Sequence, residues 1–164
     1  MIILKKINVF YTIFLLFFIF FTKNCLGEEF PLIDLKSLNN SENLNLNSFD
    51  SNYLLINFWA SWCNACKYEL KEIIKVKKDF ESKGIKIITI NLDEKTEKAK
   101  KFLLKNKLEL PVYQPEEDMG KFLKIKVLPL NILIDNQRKI LKKWEGYTPS
   151  LLDDLKNFIE KPKN

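Results

Sequence analysis

Asn57-Phe58-Trp59-Ala60-Ser61-Trp62-Cys63-Asn64-Ala65-Cys66-Lys67-Tyr68-Glu69-Leu70 is the stretch on which the reading of this chain turns. An apolar run, Tyr53-Leu54-Leu55-Ile56, leads into it with the length and composition of a buried strand. Behind it, Leu70, Ile73, Ile74, Lys77 and Phe80 recur at helical spacing, and all but Lys77 are apolar. The two cysteines therefore fall where a core strand ends and a helix begins. The first turn of a helix has unpaired N–H groups and carries the positive end of the dipole. A thiolate is stabilised there, which lowers the expected pKa of Cys63 from ~8.5 into the ~3.5–7.5 range of such sites. Cys66 lies one turn deeper and is less exposed. Cys63 is then the attacking sulfur, and Cys66 the one that resolves a mixed disulfide.

Outward from this centre the elements alternate. The helix is predicted from about Trp62 to Ser82, with Gly84 placed to end it in a left-handed conformation. Ile85 to Asn91 is short and β-branched, a second buried strand. Strand, helix and strand at this spacing imply a right-handed parallel crossover. Thr96 to Lys107 forms a second helix with Ala99, Phe102 and Leu103 inward, its many lysines making a solvated outer face. Pro111 to Pro115 is a Pro-bounded segment, followed by a short helix over Glu116 to Leu123. Leu128 to Asp135 and Lys139 to Glu145 read as a hairpin about an Asn136-Gln137-Arg138 turn. Thr148-Pro149 starts the last helix, with a hydroxyl cap and Pro at the first helical position. Before the core strand, Phe30 to Leu35 is extended, Ser37 to Asn47 reads as turns in a loose-tipped hairpin, and Leu46 to Asp50 as a short helical turn.

The 164 residues suit one domain, and 46% hydrophobic content suffices for its core. The formal charge of +6 misleads, because Lys5, Lys6 and Lys23 lie in an acid-free leader. The rest is mixed in sign, which argues against nucleic acid as a partner. Residues 1–27 read as an export signal: Lys5 and Lys6, an apolar stretch from Ile7 to Phe21, then Cys25-Leu26-Gly27 with small residues placed for cleavage after Gly27. Retention as a membrane anchor stays open, although the apolar run is short of the ~20 residues that span a bilayer. Lipidation at Cys25 is disfavoured by the preceding Thr22-Lys23-Asn24. In each case residues 28–164 are expected outside the cytoplasm, in the periplasm or on the outer face of the inner membrane, where a cysteine pair can be oxidised.

Two bland readings of Cys63 and Cys66 compete with redox chemistry. A zinc site needs four ligands, and the chain has no His and no second cysteine pair. A purely structural disulfide closing so small a ring restrains the unfolded chain little.

The stretch Phe58-Trp59-Ala60-Ser61-Trp62-Cys63-x-x-Cys66 resembles thioredoxin-like proteins, and specifically the exported TlpA/ResA/DsbE group. Glu69 matches an acidic residue usual in that group. Asn91-Leu92-Asp93-Glu94, Val127-Leu128-Pro129 with Ile132 to Asp135, and Phe30 to Phe49 match further segments, so the likeness covers roughly residues 30–160. Departures are Asn64-Ala65 between the cysteines, Lys71 where Pro is frequent, Lys124 and Val127 in place of glycines, and Leu130 in place of Thr or Glu. Peroxide-reducing thiol enzymes resemble this fold too, but their Pro-x-x-x-Thr-x-x-Cys loop would need Pro and Thr where Ile56 and Ala60 stand.

The resemblance implies a thioredoxin-like α/β fold over residues 28–164: a central mixed β-sheet flanked by helices, with an N-terminal extension. It implies exchange of disulfides in protein substrates, apocytochrome c among them, with electrons from a membrane donor of the DsbD/CcdA type and no metal or organic cofactor. It also implies a cis peptide at Leu128–Pro129, setting the Leu128 backbone beside Cys63 to pair with substrate as an added strand; the bland alternative is a strand-edge proline. Glu69 is either a surface acid near a helix N-terminus or a proton shuttle for Cys66. It is the nearest ionisable candidate, because Asn57 stands where cytoplasmic thioredoxins often carry Asp. Trp59 reads as core and Trp62 as rim. A disulfide oxidant or isomerase, and a redox-inert assembly or copper-delivery partner, remain as alternative functions.

Overall fold

The computed structural model describes residues 11–14, 28–38, 43–46, 49, 51–116 and 119–160. The signal or anchor reading of residues 1–27, Cys25 included, lies outside the described residues except for an exposed helical turn at 11–14. Among the described residues no helix is long and apolar enough to cross a membrane.

One seven-stranded mixed sheet organises the described residues, in the order β2-β1-β5-β4-β3-β6-β7. Its strands are β1 (Asp34–Ser37), β2 (Asn43–Asn45), β3 (Tyr53–Trp59), β4 (Ile85–Asn91), β5 (Val112–Pro115), β6 (Leu130–Asp135) and β7 (Ile140–Glu145). The helices are α1 (Asn64–Ser82), α2 (Thr96–Asn106), α3 (Met119–Phe122) and α4 (Leu151–Glu160). β3 pairs parallel with β4 and antiparallel with β6, and β4 pairs parallel with β5. Six of the seven residues of β3 are buried, because helices or chain cover both faces.

Alternation along the strands sorts side chains to two faces. Leu55, Ile87 and Leu133 share a core with Ile73 and Phe80 of α1 and Leu151 and Leu155 of α4. Leu54, Ile56, Phe58, Ile88, Ile90 and Ile132 meet Phe30, Ile33 and Met119 on the other. The extension ties both sides of the sheet together. Glu29 bridges to Lys139 beside β7, whereas β1 pairs with β5 near the opposite edge. Gly84, with φ +85°, ends α1 as expected, and its N–H donates to Glu81 O.

Several boundaries move. Pro111 to Pro115 contains β5, which the two prolines conceal. Asn43–Asn45, read as turn, is the second strand of the expected hairpin. Within the expected Glu116 to Leu123 helix, Met119–Phe122 is helical, and of the described residues Glu116 and Leu123 lie outside it. β6 starts after Pro129, which has no N–H to give a ladder. α4 begins at Leu151: the Thr148 hydroxyl donates to Gly146 O in the preceding turn and does not cap the helix. Leu46 lies in a helical turn, and the rest of the turn expected there is mostly outside the described residues.

Candidate active site

β3 delivers the cysteines. After Trp59 and Ala60, both fully buried, the chain turns so that Cys63 N–H donates to Ala60 O at 3.1 Å. Cys63 takes an extended conformation (φ −88°, ψ 103°) as the N-cap of α1, and its Sγ accepts from Cys66 N–H at 3.1 Å. The sulfur thus occupies the place of the capping oxygen of a Ser or Asp. No acidic residue lies in the first turn of α1 to oppose a thiolate. Cys63 and Cys66 form a disulfide with their Cα atoms 5.3 Å apart. Cys63 is 7% exposed and Cys66 not at all, so the expected order of accessibility stands, within a narrow opening.

The turn is clamped from β4. Asp93 Oδ2 accepts from Ser61 N–H and Oδ1 from Ser61 Oγ, both at 2.9 Å. Asn91 Nδ2 also donates to Asp93 Oδ2, and Asn91 Oδ1 accepts from Asp93 N–H. Gln114 Nε2 of β5 donates to Asn91 Oδ1 and to Asp93 O. In the sequence Asp93 is marked only as part of the Asn91-Leu92-Asp93-Glu94 segment. Its partner lies 32 residues away, and no local pattern announces the pairing.

Glu69 is 2% exposed, which sets aside the surface-acid reading. Its Oε1 accepts from Asn57 Nδ2 at 2.8 Å and from Asn131 Nδ2 at 2.9 Å, and Asn57 Nδ2 also donates to Asn131 Oδ1 at 2.8 Å. Burial pushes the carboxyl up to about 7, against the pull of the Asn131 and then the Asn57 hydrogen bonds, with Glu72 raising it slightly further. Nothing in the sequence around Asn131 marks it as part of the site. It stands directly opposite Asn57 in the β3/β6 register.

The Leu128–Pro129 peptide is cis. Leu128 packs against the cluster that holds Cys63 and Cys66, and Pro129 O accepts from Gly146 N–H at 2.8 Å. Pro129 leads into β6, which has β3 on one side and β7 on the other, so it is not a strand-edge proline. Trp59 is buried and packs on Phe102 with ring centroids 5.3 Å apart, as core. Trp62 is 70% exposed next to Cys63. The structure therefore brings Cys63, Cys66, Glu69 and Leu128 to one end of β3, with Trp62 at the surface.

Comparison with known proteins agrees with this geometry. The AhpC/TSA family matches residues 26–162. The chain is 26% identical over 136 residues to the thiol-disulfide oxidoreductase ResA of Bacillus subtilis (strain 168), a match covering 82% of this chain and 75% of that protein. It is 26% identical over 154 residues to ResA of Geobacillus thermodenitrificans (strain NG80-2), covering 93% of this chain and 87% of the relative. The solution structure of a thiol:disulfide interchange protein from Bacteroides sp. superposes with a TM-score of 0.70 at 26% identity, covering 85% of this chain and 93% of that one. Ile56 and Ala60, both fully buried, occupy the two positions at which a peroxide-reducing loop would carry Pro and Thr.

Proposed function

The chain belongs to the AhpC/TSA family and is a thiol–disulfide oxidoreductase of the TlpA/ResA/DsbE kind, and we propose that it reduces disulfides of protein substrates outside the cytoplasm, during cytochrome c maturation or a related assembly. The observation that carries the reading is the sulfur of Cys63 capping α1, where a thiolate faces backbone N–H and no carboxylate.

In the reduced enzyme the Cys63 thiolate attacks one sulfur of a substrate disulfide. A mixed disulfide forms, and the other substrate sulfur leaves as a thiolate that takes a proton from water. Glu69 accepts the proton of the buried Cys66 thiol. The Cys66 thiolate then attacks Cys63 Sγ, the Cys63–Cys66 bond forms, and the second substrate thiolate leaves. Two electrons have passed to the substrate, and the enzyme disulfide must be reduced again. A membrane donor of the DsbD/CcdA type would supply those electrons. The Leu128 backbone, beside the cysteines, would pair with an extended substrate segment, with Trp62 on the rim of the contact. Residues 1–27 would export the chain, as a cleaved signal or as an anchor.

The direction of exchange is tested by equilibrating the chain with glutathione buffers and measuring its potential. A value near that of thioredoxin, about −270 mV, fits a reductant; one near about −120 mV makes the protein an oxidant and overturns the proposal. Reduction of insulin or apocytochrome disulfides by the same preparation distinguishes an enzyme from a redox-inert binding partner.

A further inference from the structure

β6 reads Leu130-Asn131-Ile132-Leu133-Ile134, a buried strand in which a fully buried amide interrupts an apolar run. An apolar residue would fill that place at lower cost, because a buried amide must recover the hydrogen bonds it gives up in water. Asn131 recovers them from Asn57 and Glu69 alone. The three side chains close a ring. Asn57 gives one N–H to Glu69 Oε1 and one to Asn131 Oδ1, and Asn131 gives one to the same Oε1. Glu69 Oε1 therefore receives two donors, while Glu69 Oε2 is buried without a partner. The carboxyl is asymmetric: one oxygen is held as an acceptor, and the other is open to a proton.

Cys66 lies three residues before Glu69 on α1, on the same helix face, at the ~5–6 Å Cβ spacing of such pairs. Both are buried. The other titratable groups around Glu69 are Glu72 on the same helix and Tyr147 from the loop after β7, whose hydroxyl donates to both Glu72 oxygens at 3.2 and 3.3 Å. β3 and β6 present only the two amides, and no lysine or arginine is among the groups that act on Glu69.

We propose that Asn131 is a positioning residue for the exchange reaction: together with Asn57 it locks the Oε1 side of Glu69, leaving Oε2 as the single oxygen that takes the proton from Cys66 and returns it. The inference rests on the reading of Glu69 as the proton acceptor for Cys66. During substrate reduction the Cys66 S–H proton moves to Oε2 as Cys66 attacks Cys63 Sγ. During re-reduction an incoming donor thiolate attacks Cys63 Sγ, the Cys63–Cys66 bond breaks, and the departing Cys66 thiolate takes the proton back from Oε2. The proton is conserved across the cycle, and no third reagent is needed. Asn131 also holds the carboxylate in its charged form, because its donated hydrogen bond is stronger to the anion than to the acid.

The test uses the full chain with Cys25→Ser in every variant, so that Cys63 and Cys66 are the only thiols, reduced and mixed with dithiobis-nitrobenzoate under single-turnover conditions. The first coloured thiolate reports attack by Cys63, and the second reports resolution by Cys66. Wild-type resolution should rise through a midpoint near the Glu69 value of about 7. Asn131→Leu removes one charge-assisted donor, which moves that midpoint up by about one pH unit. The second phase then slows roughly tenfold at pH 6 and stays within about twofold at pH 9, while the first phase is unchanged. In a Glu69→Gln background Asn131→Leu should have no such pH-selective effect. Asn131→Asp keeps the acceptor for Asn57 but loses the donor, so it should shift the midpoint upward as well and serves if the leucine variant does not fold. A wild-type midpoint in both Asn131 variants, with Glu69→Gln abolishing the inflection, overturns the role of Asn131 and leaves that of Glu69. An inflection that survives Glu69→Gln overturns both.

Discussion

Glu69→Gln should abolish a pH dependence of stability that one buried carboxyl creates. In the folded chain the acid titrates at about 7 against an ordinary value of 4.5. A raised value means that the folded state holds its proton more tightly than the unfolded state does. The stabilisation is complete below about pH 4.5 and is lost as pH rises through about 7. The gap corresponds to about 3 kcal/mol. Two features make this readable. The chain contains no His, which ordinarily titrates in this window, and the bridged cysteines do not titrate in the oxidised protein. Urea unfolding of the oxidised chain at pH 5 and at pH 8 measures the effect. About 2.5 kcal/mol of it separates pH 5 from pH 8, so with a slope of about 2 kcal/mol/M the wild-type midpoint should fall by roughly 1.2 M between them. Glu69→Gln should fall much less, and the difference between the two falls isolates Glu69, since every other group is common to both proteins. Parallel pH profiles within about 0.5 kcal/mol would refute the assignment of a near-neutral acid at this position.

Three further outcomes are expected. Alkylation of the reduced chain near neutral pH should label Cys63 before Cys66, since of the two Cys63 alone retains exposure; faster labelling of Cys66 reverses their roles. Asp93→Ala should cost about 2–3 kcal/mol in urea unfolding, because it strands the Ser61 N–H, whereas Ser61→Ala removes only the hydroxyl bond and should cost about 1 kcal/mol; equal costs would mean that the backbone half of the clamp contributes nothing. Gly84→Ala should cost about 1–2 kcal/mol, as it puts a side chain at φ +85° with its Cβ 3.0 Å from Asn52 Nδ2; an unchanged urea midpoint would show that the turn relaxes freely.

The parts of this architecture legible in the sequence are those dictated by local periodicity. The bounds of β3 and β4 follow from continuous apolar runs, and α1 ends at Ser82 before Gly84 as read, although it starts at Asn64 with Cys63 as its cap and not at Trp62. The cysteines sit at a strand–helix junction that can be read from composition alone. What escaped depends on long-range pairing. β5 is only four residues long and ends at a proline, so nothing local marks it as a strand until Leu35 and Thr89 flank it. Glu69 stands out in the sequence as a candidate, but its position alone does not decide between a surface acid and a buried one; that depends on the amides that β3 and β6 place opposite it. Asn131 is one polar residue in an apolar strand, and its partners lie 62 and 74 residues away. The Asp93 clamp likewise spans two strands and the turn between Trp59 and Cys63.

The central claim is that Cys63 attacks the substrate and Cys66 resolves. It is tested most directly by trapping the intermediate. Reduced Cys66→Ser and Cys63→Ser chains are each incubated with insulin, quenched with acid, and the products mapped by mass spectrometry of their peptides. The account predicts a stable mixed disulfide joining Cys63 to an insulin cysteine in Cys66→Ser, and no adduct on Cys66 in Cys63→Ser. An adduct on Cys66 of the Cys63→Ser chain, formed as fast as the other, would contradict it.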